Sequence, residues 1–316
     1  MPRYRAHGLV VDSAVPLPMP AAEVGAGPAT LRLSAGPPRP VPDALPSGEL
    51  LAAQDRDGGG PLYRLATTGA RTVLRYPGVC EFTGDALLSD VVFHLDPAAD
   101  PGLVPVLAAG ALVAVHLRLC GALALHASAV AVDDRGLAFV GSSGMGKSTV
   151  ASALAAAGHP LVSDDVLRVT LTAPAGPLTH RGSTESRLRP SARVLADRAD
   201  PAHVRLTADD RLALRLPAYR EPDLPFAACV VPLPHRDGPE LVLEQLAPTG
   251  ALLWLLRFPR VVGWLDPAGS AREFQALGNL VERVPVYLAR IPWGLPFAPG
   301  LLDELAGLAA APSVQR

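Results

Sequence analysis

Gly141-Ser-Ser-Gly-Met-Gly-Lys147-Ser148-Thr149 is the stretch of this 316-residue chain that decides its fold. It fits the pattern G-x-x-x-x-G-K-[ST], in which glycines let backbone N–H groups turn inward around an anion. A strand-like run, Gly136–Val140, precedes it, and a run of good helix formers, Lys147–Ala157, follows it. Because the N-terminus of a helix attracts anions, the stretch predicts a phosphate-binding loop in an α/β domain.

Each part of this loop has a predicted task. Lys147 would place its ammonium on the β- and γ-phosphates, and Ser148 would offer its hydroxyl to Mg²⁺. Lys147 is the only lysine among 28 basic side chains, and it stands where a compact point charge is needed. The loop predicts ATP and Mg²⁺ as cofactors but does not choose between a kinase, an ATPase, a GTPase and a switch. The predicted nucleotide-binding residues are Gly141, Ser142, Ser143, Gly144, Met145, Gly146, Lys147, Ser148 and Thr149.

Two adjacent acids follow the loop after a short apolar strand, Pro160–Ser163. Neighbouring side chains of an extended segment point in opposite directions. One of Asp164 and Asp165 could therefore accept a proton from an attacking hydroxyl while the other assists Mg²⁺. His126 lies in the apolar run Ala124–Val132, which we expect to pair with the strand before the loop. It could orient a carboxylate or be a histidine of the core.

Composition and charge exclude several classes of protein. With 49% hydrophobic and 18% charged residues, the chain can form a sizeable core, and its net charge of −2 gives no footprint for nucleic acid. Three widely spaced cysteines and the absence of an apolar N-terminal run predict a cytoplasmic location. The apolar segment from Leu103 to Leu125 carries His116 and Arg118, so we predict a buried helix over Leu103–Leu119 and no membrane span.

The texture of the chain predicts two domains. Residues 1–100 contain short strand-like runs between Pro- and Gly-rich turns, which predicts a β-rich accessory domain suited to substrate docking. The predicted strands are Tyr4–Asp12, Thr30–Ser34, Leu62–Thr67, Thr72–Tyr76 and Val91–Leu95. Residues 101–316 mix strands and helices around the loop, which predicts an α/β phosphate-loop domain. The polar run His180–Arg189 predicts a mobile loop over the site, where Glu185 could reach the metal. Candidate cations for the transferred phosphoryl group are Arg168, Arg181, Arg187, Arg189 and Arg257.

The central segment resembles the HPr kinase/phosphorylase family. Three elements carry the resemblance: Leu125-His126-Ala-Ser-Ala-Val, the loop Gly141–Thr149, and Gly158-His-Pro-Leu-Val-Ser-Asp164-Asp165. The resemblance implies the HPr kinase/PEP carboxykinase-like type of fold. It also implies that Asp164 is the catalytic base, supported by His126, and that Asp165 joins Ser148 at the metal. Since members of that family assemble as hexamers, it allows for a homo-oligomer.

Two softer motifs resemble the HPr kinase-like proteins of ribosomal-peptide pathways, including lasso-peptide kinases. They are Tyr4-Arg-Ala-His-Gly-Leu-Val-Val-Asp-Ser-Ala-Val-Pro-Leu-Pro18 and Arg283-Val-Pro-Val-Tyr-Leu288. This resemblance implies a kinase for a serine of a peptide or protein, such as a lasso-type precursor. Two alternatives remain open: a small-molecule kinase, and a nucleotide-binding partner without transfer chemistry in a biosynthetic complex.

Overall fold

A computed structural model describes residues 1–238 and 240–310 of the chain. They form two compact units of mixed α/β structure. The first comprises Met1–Ala122, Thr207–Asp209 and Arg260–Glu273, and the second comprises Leu123–Leu206, Asp210–Pro259 and the described residues from Phe274 onward. This division differs from the predicted boundary at residue 100, because the helical segment after that residue groups with the N-terminal strands.

The first unit is built on a mixed eight-stranded sheet with the order β1-β2-β3-β8-β7-β6-β5-β4. β2 and β8 run parallel to β3, and the other neighbours are antiparallel. Alternating buried positions such as Leu31 and Leu33 form its core face. The strands are β1 (Arg3–Ala6), β2 (Leu9–Ser13), β3 (Leu31–Ala35), β4 (Glu49–Asp55), β5 (Pro61–Thr67), β6 (Arg71–Tyr76), β7 (Cys80–Asp85) and β8 (Asp90–Leu95).

Four strands of this sheet depart from the sequence prediction. The run from Tyr4 to Asp12 suggested one strand, but the chain turns at His7 and Gly8, both with positive φ, and forms the β1–β2 hairpin. β4 and β7 were not predicted. β7 reads Cys-Glu-Phe-Thr-Gly-Asp, so its polar residues and glycine hide the strand pattern, and pairing with β6 and β8 decides its conformation.

The predicted helix over Leu103–Leu119 is present in three continuous parts. These are α1 (Leu103–Leu107), a π-helical stretch (Ala108–Leu112) and α2 (Val113–Leu119). Its apolar side chains are buried in the first unit, among them Leu112 and Leu117. Across residues 1–238 and 240–310, no helix has the length and apolarity that crossing a membrane requires.

The second unit contains one large sheet, and the glycine-rich loop follows its strand β11. The order of its main path is β12-β10-β11-β18-β14-β13-β9, and β20 joins β18 to the edge strand β19. β11 lies between antiparallel β10 and parallel β18, in the middle of this sheet. The strands are β9 (Leu123–Leu125), β10 (Ala127–Val132), β11 (Arg135–Val140), β12 (Leu161–Ser163), β13 (Leu167–Thr170), β14 (Leu178–His180), β18 (Asp223–His235), β19 (Val242–Gln245) and β20 (Val286–Pro292).

Helices cover both faces of this sheet, which explains why β10 and β11 are apolar almost throughout. Val130, Leu137 and Phe139 point to one face and pack against α3 and α7. Ala129, Ala138 and Val140 belong to the other face, which packs against α5 and α6. The helices are α3 (Lys147–Ala156), α4 (Arg193–Asp197), α5 (Pro248–Leu255), α6 (Pro267–Val281) and α7 (Leu301–Ala310).

The polar run His180–Arg189, expected to be a mobile loop, contains the end of β14 and a further strand. Glu185–Leu188 (β15) pairs with Leu212–Arg215 (β17), which also pairs with Val204–Leu206 (β16). Leu188 and Leu214 of this small sheet pack against Ala155 of α3. The prediction failed because the run contains a single large apolar side chain, Leu188, so its sequence carries no strand pattern, and the pairing partner lies further along the chain.

Candidate functional site

The glycine-rich loop, predicted to bind phosphate, connects β11 to α3. Gly144 and Gly146 have φ values of +94° and +90°, a left-handed conformation that only glycine adopts without strain. Gly146 is also the residue that precedes the first turn of α3. All nine predicted nucleotide-binding residues lie in this turn or in the first three positions of the helix, where unpaired N–H groups favour an anion.

Lys147 is held inside the loop. The residue is only 6% exposed. Its Nζ donates a hydrogen bond of 3.0 Å to the backbone oxygen of Ser142. The contact folds the ammonium back over the loop toward the glycine-rich turn. A compact cation in this position can bind phosphate oxygens between the loop amides and itself.

Asp164 lies against the start of α3. Its Oδ1 accepts hydrogen bonds from the hydroxyls of Ser148 (2.8 Å) and Ser128 (2.5 Å). Its Oδ2 accepts a bond of 2.8 Å from the backbone N–H of Arg187 in β15. The carboxylate is buried and receives three donors from α3, β10 and β15. These bonds fix its orientation beside the hydroxyl that is predicted to bind Mg²⁺.

Asp165 turns away from its neighbour. β12 ends at Ser163, and Asp165 has a left-handed φ of +72°, inside a turn closed by the bond of 2.9 Å from Val166 N–H to Asp164 O. Asp165 Oδ1 lies 3.5 Å from Nε2 of His126. Both side chains are partly exposed, at 31% and 21%. The pair can therefore be reached by a substrate, whereas Asp164 is enclosed.

His126 is not inside a continuous strand, contrary to the expectation for Ala124–Val132. The chain bends at this residue because β9 pairs with β13, whereas β10 pairs with β11 and β12. The change of partners breaks the strand and leaves His126 at the edge of the loop region, where its backbone oxygen accepts a bond of 3.4 Å from the N–H of Gly141. A core histidine is therefore the weaker interpretation.

Asp164 and Asp165 each contact the partner that was predicted for the other. We expected His126 to orient Asp164 and Ser148 to share a metal with Asp165. In the structure His126 lies beside Asp165, and the Ser148 hydroxyl donates a hydrogen bond to Asp164. The turn at Asp165 explains the exchange, because sequence spacing shows that two carboxylates diverge but not which one faces the loop.

The donors beside the loop fit Mg²⁺. Ser148 and Asp164 offer a hydroxyl and a carboxylate oxygen, the hard ligands that Mg²⁺ shares with substrate phosphates. Within residues 1–238 and 240–310, no group of three or more His, Cys, Asp or Glu is placed to hold a metal ion. Metal binding by these two residues would consequently depend on phosphate oxygens as further ligands.

Two residues at this site were missed as candidates or left undecided. Ser128 is completely buried, and its only sequence signal is a hydroxyl in an otherwise apolar strand. Arg189, one of five candidate cations, donates a bond of 2.8 Å from Nη2 to the hydroxyl of Ser143 in the loop. Its sequence signal is the proline that follows it, which favours extended backbone at Arg189.

Other charged candidates have different partners. Glu185 forms an ion pair of 2.5 Å with Arg205, which uses the carboxylate that might have reached the metal. Arg181 donates to the backbone oxygen of Arg220, and Arg257 stacks on the ring of Trp254. These contacts support structural roles for the three side chains.

His180 is a buried histidine at the end of β14. Its pKa is lowered from 6.5 to about 4, chiefly by burial and also by the positive charge of Arg168, while the negative charge of Asp223 opposes the shift. Its Nε2 and the hydroxyl of Thr170 form a hydrogen bond of 2.8 Å. The ring is therefore neutral at pH 7 and ties β14 to β13.

No protein-family model and no curated protein matches the chain. Among solved structures, the chain is similar to the HPr(Ser) kinase/phosphatase from Coxiella burnetii, with 14% identity and a TM-score of 0.30, over 60% of this chain and 94% of that one. At this level of likeness, function has to be inferred from the chemistry of the site itself.

Proposed function

We propose that the chain is an ATP- and Mg²⁺-dependent kinase that phosphorylates a serine hydroxyl of a peptide or protein. The observation that carries the proposal is the separation of two adjacent carboxylates. Asp164 contacts the loop hydroxyl of Ser148, and Asp165 contacts His126. Phosphoryl transfer to a hydroxyl requires a metal ligand and a general base, and the two carboxylates can supply one each.

The loop and its lysine would bind the phosphates of ATP. The N–H groups around Gly144 and Gly146 would surround the phosphate oxygens, and Lys147 would neutralise the β- and γ-phosphates. Ser148 and Asp164 would hold Mg²⁺, which when bound neutralises charge on those oxygens. The three donors to Asp164 keep its oxygens in place for this task.

The second carboxylate would act on the acceptor. The hydroxyl oxygen of the acceptor serine would attack the γ-phosphorus while Asp165 accepts the hydroxyl proton. The bond from the γ-phosphorus to the β–γ bridging oxygen would break. ADP would leave with the electron pair of that bond. His126, 3.5 Å away, would orient Asp165 and stabilise the carboxylate. This assignment exchanges the roles of Asp164 and Asp165 that the family resemblance implies.

The acceptor is proposed on the resemblance to precursor-peptide kinases together with the openness of the His126–Asp165 pair. Asp165 is 31% exposed, so a hydroxyl carried on a flexible segment could approach it. The β-rich first unit is the candidate docking module for such a segment. A ribosomal precursor peptide of lasso type is the acceptor that the resemblance favours.

Transfer of labelled γ-phosphate from ATP tests the proposal. Candidate precursor peptides with serine, and the same peptides with alanine at that position, would be incubated with the full chain and Mg²⁺. Phosphate on the serine peptide alone, lost in Asp165→Asn, is the expected result. Tight ATP binding without any phosphorylated peptide would contradict a peptide kinase. Label on a small molecule from a cell extract would instead support the small-molecule alternative.

A further inference from the structure

The side chain of Arg189 contacts the phosphate loop through one of its five N–H donors. Its Nη2 donates to the hydroxyl of Ser143 at 2.8 Å. A Cβ built on Gly144 would lie 3.6 Å from its Nη1, so the guanidinium passes beside the glycine that turns the loop. Within the described part of the chain, the other donors of this guanidinium have no hydrogen-bond partner. An exposed arginine in this position can accept an anion without first breaking an ion pair.

Two cations converge on the same end of the loop. Lys147 Nζ bonds the backbone oxygen of Ser142, and Arg189 Nη2 bonds the hydroxyl of the next residue, Ser143. Lysine at this position of the motif reads the β- and γ-phosphates. Lys147 and Arg189 therefore contact consecutive residues of the loop, which brings both cations to the same part of it.

The backbone around Arg189 is restrained. Pro190 follows it and disfavours the helical region, and Arg189 has φ −74° and ψ 159°, as expected before proline. The N–H of Ala192 bonds the oxygen of Arg189 and begins a short 3₁₀ turn. Two residues earlier, the N–H of Arg187 holds Asp164. One short segment thus fixes both the enclosed carboxylate and the arginine at the loop.

We propose that Arg189 contacts the transferred γ-phosphoryl group and stabilises the charge that develops on its oxygens. This inference rests on the proposed kinase function, and it adds a catalytic residue from the same chain. A planar guanidinium can donate two parallel bonds to phosphate oxygens while it keeps its bond to Ser143. Among the candidate arginines, Arg189 is the one whose side chain forms a described hydrogen bond with the loop, at 2.8 Å to Ser143.

The test compares Arg189→Ala and Arg189→Lys with Arg193→Ala. Arg193 is an exposed arginine four residues further along that pairs with Asp197, so its removal takes the same charge from the same segment without touching the loop. Arginine residues that stabilise a transferred phosphoryl group are worth roughly 10³-fold or more in kcat. We expect a loss of this order in Arg189→Ala, little recovery in Arg189→Lys, an unchanged KM for the peptide, and wild-type kinetics in Arg193→Ala.

Nucleotide binding separates this inference from the proposed function. Arg189→Ala should weaken binding of MgATP about tenfold and leave MgADP binding unchanged, a readout that needs no acceptor. If the wild-type chain binds nucleotide but phosphorylates nothing, the proposed function fails, while a selective loss of ATP affinity in Arg189→Ala still supports the γ-phosphate contact. Wild-type kcat and wild-type preference for ATP over ADP in that variant would overturn the assignment. So would an equal loss of affinity for both nucleotides, which would place Arg189 elsewhere on the loop.

Discussion

His126 Nε2 lies 3.5 Å from Asp165 Oδ1, and the preceding carboxylate, Asp164, instead accepts the Ser148 hydroxyl at 2.8 Å. A left-handed residue in the turn after β12 produces this divergence. The enclosed acid faces the phosphate loop, and the accessible acid faces the histidine. Two identical side chains in consecutive positions can consequently perform different tasks.

Replacing Asp164 or Asp165 by asparagine should change different kinetic parameters. Asp165→Asn removes the proposed base, so we expect kcat to fall by about 10² to 10⁴ with the Mg²⁺ requirement unchanged. Asp164→Asn removes a charged metal ligand, so the Mg²⁺ concentration for half-maximal activity should rise at least tenfold. Titration of the initial rate with Mg²⁺ distinguishes the two effects.

Asp133→Asn provides the matched control for this pair. Asp133 lies in the β10–β11 turn with a positive φ that asparagine tolerates, and it belongs to a second Asp-Asp sequence in the same unit. It should behave as wild type. A raised Mg²⁺ requirement in Asp165→Asn, together with a normal requirement in Asp164→Asn, would restore the roles that the family resemblance implies.

The strand–loop–helix geometry of the glycine-rich loop was predictable because it is encoded locally. Glycines with positive φ, a strand before them and a helix after them are all encoded within about fifteen residues of Lys147, and the structure contains each. The α/β class of the second unit also followed from the alternation of strand-like and helix-like runs along residues 101–316. Residue types and spacing determine these features without help from distant segments.

The rest of the site depends on pairings that a single sequence does not reveal. His126 lies at a break between β9 and β10, because β9 pairs with β13 and β10 pairs with β11. Arg187 reaches Asp164 through its backbone, since β15 pairs with β17. A backbone donor leaves no trace in the residue type, and the register of two short strands is fixed only by the folded sheet.

Lys147→Arg should abolish most transfer while the fold persists. The lysine is almost fully buried against Ser142, and the larger, planar guanidinium cannot place its charge at the same point inside the loop. We expect kcat/KM for ATP to fall by roughly 10² or more. Circular dichroism and the thermal midpoint should remain close to those of wild type. Activity within twofold of wild type would show that a compact ammonium is not required.

Ser128→Ala should disturb both stability and metal use. The completely buried hydroxyl donates to Asp164 at 2.5 Å, and its loss removes one donor from an enclosed carboxylate. Removing a partner from a buried hydrogen bond costs about 1–3 kcal/mol. A lower thermal midpoint and a higher Mg²⁺ requirement should appear together.

Ser152→Ala is the control that separates the two effects. Ser152 is also buried, and its hydroxyl bonds Ser186 at 2.9 Å without touching Asp164. Its replacement should lower the thermal midpoint but leave the Mg²⁺ titration unchanged. Equal Mg²⁺ requirements in both serine variants would mean that the bond from Ser128 does not orient the carboxylate.

His180 should make the second unit less stable in mild acid. Its pKa is about 4 in the folded chain and near 6.5 when the chain unfolds, chiefly because burial disfavours the charged ring. As pH falls from 6.5 to 4, the unfolded state gains a proton that the folded state does not, so the stability of the folded state decreases across this window. Above pH 6.5 both states are neutral, and the effect disappears.

Thermal midpoints measured between pH 7.5 and 4 for wild type, His180→Gln and His203→Gln test this expectation. Glutamine at 180 can keep a hydrogen bond to Thr170 but cannot titrate, so the decrease in midpoint with acid should be smaller than in wild type. His203 is exposed, and its replacement controls for the loss of a histidine. Equal acid sensitivity in wild type and His180→Gln would show that protonation of His180 does not limit stability, and would move the cause to other buried groups of the unit.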